Sequence, residues 1–247
     1  MLDIVVVGLK KTIQNLKNLQ KQTSLANVVA INWTAKQAHD DVVKSMTSVF
    51  DRPTPWTMRG FYVWRADKAH PFAKLEARRF AGKGTPAYKY LEPEVFGGTR
   101  RAKGHERALR AAGVLPMSMY TVPGPGASLD QYGNMRGSEY VKILSQLKAF
   151  GEVGYTANIT ERSRKRGSNK TRSQYYVVRS RAYGQHPGIW KRNASGTKTV
   201  PVLFFVRQPT YTPRFPFHDI ARSSVNANFD TNFSKALKQV AGSTITG

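Results

Sequence analysis

The chain has 247 residues, 40% apolar and 11% aromatic, enough for one large domain or two small ones with a real core. Its 39 Lys and Arg against 15 Asp and Glu leave a net charge of +24, which calls for an anionic partner or neighbour. The absence of cysteine excludes disulfides, thiolate nucleophiles and Cys-ligated metals.

Met1-Leu2-Asp3 leads into Ile4-Val5-Val6-Val7, too short for a signal core and without a basic lead. No apolar run approaches the roughly 20 residues of a membrane span, so a soluble protein without membrane contact is expected. Leu9, Ile13, Leu16 and Leu19 have the spacing of a short amphipathic helix. Ser24 reads as an N-cap, and Leu25, Val28, Val29, Val42, Met46, Val49 and Phe50 follow a second, longer helical stripe. Asp51-Arg52-Pro53-Thr54-Pro55-Trp56-Thr57 stops it, with Trp56 expected to pack that turn onto the core.

Phe61 to Arg65 and Ala73 to Arg78 read as an antiparallel strand pair. Past the Gly82-Lys83-Gly84 loop, Tyr88, Leu91 and Val95 mark a helix that Pro93 keeps short, and a second helix over about 105–112 ends at Gly113. The Pro- and Gly-rich stretch from Pro116 to Gly133 reads as a long loop. A helix from Ser138 is expected to close at Gly151. Three strands follow at 174–179, 188–192 and 200–207, the last central in its sheet with Pro201 near its start. A final helix over about 219–240 would turn Ile220, Val225, Phe229, Phe233, Leu237 and Val240 inward.

These elements make one α+β domain over residues 1–247: an antiparallel or mixed sheet flanked by a long N-terminal and a C-terminal helix, with long loops. Residues 1–50 form its helical region and 152–173 a basic flexible insertion. That insertion carries Arg162, Arg164, Lys165, Arg166, Lys170 and Arg172, which either contact phosphates or form a solvated loop. Arg100, Arg101, Lys103, Arg107 and Arg110 form either a basic stripe or the wet face of their helix. Tyr175 and Tyr176 beside Arg179 and Arg181 have the aromatic and cationic interleaving of a single-strand platform, or are core.

The five histidines stand singly, and no HExxH, Walker A or GxSxG pattern occurs. The close carboxylate pairs, Asp40-Asp41 and Glu92 with Glu94, read as exposed helix charges. No catalytic residue, metal ligand or cofactor is expected.

Several segments carry a resemblance: Phe50 through Thr57, Gly82 through Pro86, Val95-Phe96-Gly97-Gly98, Glu106-Arg107-Ala108-Leu109, Met119 through Pro123, Ile143 through Leu147, and Tyr211-Thr212-Pro213-Arg214-Phe215-Pro216-Phe217. In this order they resemble proteins of phage and prophage tail modules, chiefly minor tail proteins, and more remotely tail-completion proteins of the minor tail protein Z type. The resemblance implies a virion protein of the neck or upper tail, assembled in the host cytoplasm as a homo-oligomeric ring. Its partners would be connector, tail-tube and tail-terminator subunits, with packaged DNA nearby. Phe50, Arg52, Pro53, Pro55, Trp56, Tyr211, Arg214, Phe215 and Phe217 are the expected subunit contacts. A nucleic-acid-binding accessory protein using the basic insertion is the alternative.

Overall fold

A computed structural model describes residues 9–82, 84–151, 158–163, 174–181, 184–193 and 195–243. The chain is α+β as expected, and where one domain was read, its contacts gather into two compact units. The first holds Met1–Phe96 with Pro213–Gly247, the second Gly97–Thr212.

In the first unit, α1 (Leu9–Val49) is one helix of 41 residues, about 60 Å of rise, with no break at Ser24. The neighbouring Thr23 hydroxyl bonds back to Leu19 C=O at 2.9 Å, so this polar step is satisfied within the helix instead of capping a new one. Along α1 lies α6 (Phe217–Ser243). Ala26 and Ala30 are fully buried with Ala236, and the buried Asn232 amide donates to Thr34 Oγ1 at 3.0 Å and Gln37 Oε1 at 2.6 Å. Small side chains at the centre allow close helix approach; Phe229, Phe233, Leu237 and Val240 pack half-buried against this seam and Ile220 against the neighbouring core, as expected, whereas Val225 is exposed.

At the end of α1, Thr54 caps the short α2 (Pro55–Met58), its hydroxyl accepting from Thr57 N–H at 3.1 Å. Strands β1 (Phe61–Trp64) and β2 (Lys74–Ala77) pair antiparallel in the register Phe61 to Ala77. With α3 (Ala87–Phe96), they close a core of Val42, Met46, Phe61, Ala87, Leu91 and Phe215.

The second unit has its own core. Its two-residue strands β3 (Gly98–Thr99) and β8 (Thr210–Tyr211) pair together. A four-stranded antiparallel sheet runs β4 (Met119–Pro123), β7 (Thr199–Arg207), β6 (Gly188–Arg192), β5 (Gln174–Val178). Helices α4 (Gly104–Ala111) and α5 (Gly137–Gln146) cover one face through Leu109, Ile143 and Leu144 against Ile189, Leu203 and Phe205. Gly113 stands at φ 66 after α4, as its capping role requires.

Two expectations are corrected. The 116–133 stretch is not all loop, because Met119 to Pro123 pairs with β7. Helix α5 ends at Gln146, and it is Lys148 at φ 53, not Gly151, that takes the left-handed turn. Strand β7 is interior as expected, and Pro201 is its third residue, beside a register shift opposite Trp190. Among the described residues, no helix is long and apolar enough to cross a membrane.

Candidate functional site

The second unit holds 20 of the basic side chains and 5 acidic ones, a net +15. Three of its carboxylates are turned to internal work. Glu106 has no exposed surface, and its oxygens accept from both Arg100 terminal nitrogens at 2.7 and 2.6 Å, Lys103 N–H at 2.6 Å and Thr121 N–H at 2.8 Å. Burial alone would raise its pKa; the Arg100 fork and the two backbone donors outweigh that and hold it down at about 2. Glu139 is buried beneath the sheet and accepts from Ser128 N–H at 2.5 Å and Tyr175 O–H at 3.0 Å, with Lys191 Nζ at 3.7 Å. Burial, then the Glu139 charge, push the Tyr175 phenol up. Asp130 accepts Tyr132 and Asn134 N–H at 2.9 Å each in a turn. Arg100, Arg110 and Lys191 are engaged alongside them, so the rest of the unit keeps the net excess of +15.

Strand β4 is the sheet's edge, and side chains close it. Arg100 donates to Thr121 C=O at 3.2 Å, Arg110 to Met119 C=O at 2.8 Å, and Glu106 takes Thr121 N–H. Both guanidinium carbons lie over the Tyr120 ring, 4.9 and 4.7 Å from its centroid. The expected basic stripe is thus divided: Arg100, 12% exposed at its side chain, and Arg110 are structural, whereas Arg101, Lys103 and Arg107 face solvent. His105 stacks on Tyr140 at 4.1 Å with Nε2 2.8 Å from Thr121 Oγ1, and burial lowers its pKa to about 4.

The strand period also separates Tyr175 from Tyr176. Tyr175 points to the helix face and Tyr176 to the other, where Arg192 lies 5.5 Å from its centroid. Trp190, directly across from Tyr176, shares that face. It is aromatic and cation-edged, but Trp190 is buried, its Nε1 donating to His186 C=O at 3.0 Å. Arg162 is exposed, while Arg164, Lys165, Arg166, Lys170 and Arg172 lie outside the described residues.

The first unit carries a smaller excess, 19 basic against 10 acidic side chains, and presents aromatics beside it. Trp56, Trp64, Phe72, Phe80 and Phe96 are all exposed, Phe80 at 85% and Phe96 at 68%. Trp56 does not pack its turn onto the core, because the Thr54 hydroxyl already closes that turn. On the outer face of the hairpin, Trp64 Nε1 donates to Tyr62 Oη at 2.7 Å, Tyr62 donates to Glu76 at 3.1 Å, and Arg78 lies over the Tyr62 ring. The sequence reading missed Trp64, Phe72, Phe80 and Phe96 as surface groups. Strict strand alternation, which puts Tyr62 and Trp64 opposite Phe61 and Val63, was the signal available for Trp64.

Of the expected subunit contacts, several serve the chain's own core. Phe215 is 1% exposed, its ring 5.4 Å from Phe50 and 6.0 Å from Phe61, and Phe217 stacks on Phe61 at 4.9 Å. Arg214 is ion-paired to Glu94 and lies over Phe50. Tyr211 is half-buried in β8 and Pro53 half-buried beside α2; Arg52, Pro55, Trp56 and Arg214 are exposed. A cleft of about 420 Å³ opens between β2, α3 and the start of α6, lined by Phe61, Ala77, Leu91, Val95, Phe96 and Phe217 with Arg79 among its polar residues.

Among the described residues, no group of three or more His, Cys, Asp or Glu side chains could hold a metal ion. No family model, curated protein or solved structure matches the chain.

Proposed function

We propose that the chain is a structural protein of a phage neck or upper tail, present in several copies and without catalytic activity. The exposed aromatic set of the first unit carries this reading. Trp56, Trp64, Phe72, Phe80 and Phe96 leave five large rings in water on one unit, apolar surface that association with neighbouring subunits would cover. The tail-module resemblance supplies the setting: connector, tail-tube and terminator subunits as neighbours.

Light scattering and particle proteomics test it together. The reading expects oligomers in solution and the chain in purified virions, with unjoined heads and tails when its gene is deleted. A permanent monomer absent from particles refutes it.

Nucleic-acid contact through the second unit is the alternative, favoured by its net charge of +15. Arg101, Lys103, Arg107, Arg179, Arg181 and Arg192 are exposed on this unit. Duplex binding should fall steeply with salt, with a log-log slope of roughly −0.9 per phosphate contact. Binding unaffected by salt rejects this alternative.

A further inference from the structure

The hairpin of the first unit is open along one edge. Arg78 N–H bonds Gly60 C=O at 2.7 Å, which sets the phase of the ladder. Tyr62 with Glu76 and Trp64 with Lys74 are then the hydrogen-bonded pairs, so Leu75 and Ala77 turn their amides and carbonyls away from β1. Among the described residues, those outward groups have no backbone partner. Two strands alone are marginal in water, and this outer ladder of β2 is ready to take a third.

The apolar cleft lies along the same edge. Glu76 and Ala77 point to opposite faces of β2, so a cavity that touches both reaches round the strand's outer side. Leu91 and Val95 of α3 and Phe217 of α6, all packed in the first unit's core, form its apolar wall, with the exposed Phe96 at the rim. On the other face of the strand stands the Glu76 carboxylate, which accepts from Tyr62 O–H at 3.1 Å and has a second oxygen to offer. Its cationic neighbours on that face are drawn elsewhere. Lys74 lies over the Phe72 ring, and Arg78 lies over the Tyr62 ring with Nε donating to Arg59 C=O at 2.8 Å. Glu76 and the exposed Glu92 together outweigh Arg79, so the charged lining of the cleft is −1 on a unit of net +9.

A strand laid antiparallel on β2 pairs with Leu75 and Ala77, whose side chains face the core, and directly paired residues share a face. Two of its side chains therefore enter the cleft, and the residue between them stands opposite Glu76 on the outer face. Apolar, basic, apolar is the pattern that suits those three positions. We propose that this edge is a docking groove for an extended segment of a partner protein carrying that pattern, which adds to β2 as a third strand with its apolar side chains in the cleft and its cation on Glu76. The contact follows from the edge and the cleft alone and does not depend on the neck or tail reading.

The probe is a blocked pentapeptide, acetyl-Ser-Ile-Lys-Ile-Ser-amide, titrated into isotope-labelled full-length protein while the amide NMR signals are followed. Saturable shifts centred on Leu75 and Ala77 are expected. Replacing the lysine by glutamate turns an attraction into a repulsion and should weaken binding about tenfold, as should methylating both isoleucine nitrogens, which removes the donors facing β2. Glu76→Lys should invert the charge preference, so that the glutamate peptide binds better than the lysine one, with the remaining amide signals unchanged. No saturable shift at Leu75 and Ala77 up to millimolar peptide overturns the groove. So does equal binding of the lysine, glutamate and methylated peptides, or a charge preference that Glu76→Lys leaves as it was.

Discussion

Replacing Glu106 by Gln is the sharpest probe of how the second unit tolerates its charge. The carboxylate meets four donors at 2.6 to 2.8 Å with no access to water, whereas an amide offers one oxygen and turns an NH2 toward two of them. The nearly buried Arg100 charge then loses its counter-ion. Each lost bond to a charged group is worth about 1.5–3 kcal/mol, and breaking a buried pair about 3–5 kcal/mol in all, so a loss near 4 kcal/mol is expected. Against the ~5–15 kcal/mol that stabilises a domain, this removes a large part of the unit's stability. Trp190 is the only tryptophan within 97–212, so its fluorescence in a W33F/W56F/W64F background reports this unit during urea unfolding. Arg100→Lys keeps the charge but loses the fork, and should cost less. A Glu106→Gln cost below about 1 kcal/mol would refute the account of Glu106 as the pin of the β4 edge.

Acid should weaken the same unit in two steps. His105 is held neutral, its pKa lowered from 6.5 to about 4, so the unfolded chain binds its proton first and stability is lost as pH falls from 6.5 to 4. Glu106, lowered from 4.5 to about 2, contributes stability that is lost between those values. The His105 step amounts to on the order of 3 kcal/mol, and His105→Gln should flatten it in Trp190-monitored denaturation at stepped pH. Phe215→Ala, which empties the centre of the first unit's core, should cost about 3–5 kcal/mol by chemical denaturation. Trp64→Ser and Phe96→Ser leave that core intact; under the multi-copy reading they should shift light scattering toward smaller species while the melting temperature changes little.

Much of the architecture was legible in local pattern. The two prolines after Phe50, the alternation in Phe61 to Trp64, Gly113 after α4 and the apolar run of β7 each act over a few residues, and each produced the element expected. Strand β4 was hidden because the prolines and glycines on either side of Met119 to Val122 read as loop, and only pairing with β7 makes those residues a strand. The buried centre of the seam between α1 and α6 was hidden for a related reason, although Phe229, Phe233, Leu237 and Val240 pack against it as expected. Apolar periodicity nominates the largest side chains, while close helix approach selects Ala26, Ala30, Thr34, Asn232 and Ala236.

The sequence by itself determined the strong cationic excess, the chemistry ruled out by the lack of cysteine, and the α+β order of elements, since these depend on composition and short-range spacing. Tertiary structure decided where that charge could act and which aromatics were free. Arg100 and Glu106 are six residues apart, yet their pairing matters because Thr121, from a strand 15 residues beyond Glu106, completes the buried cage. Phe215 and Phe96 read alike in the sequence; one fills a core and the other stands in water, because only long-range packing assigns each ring its partners.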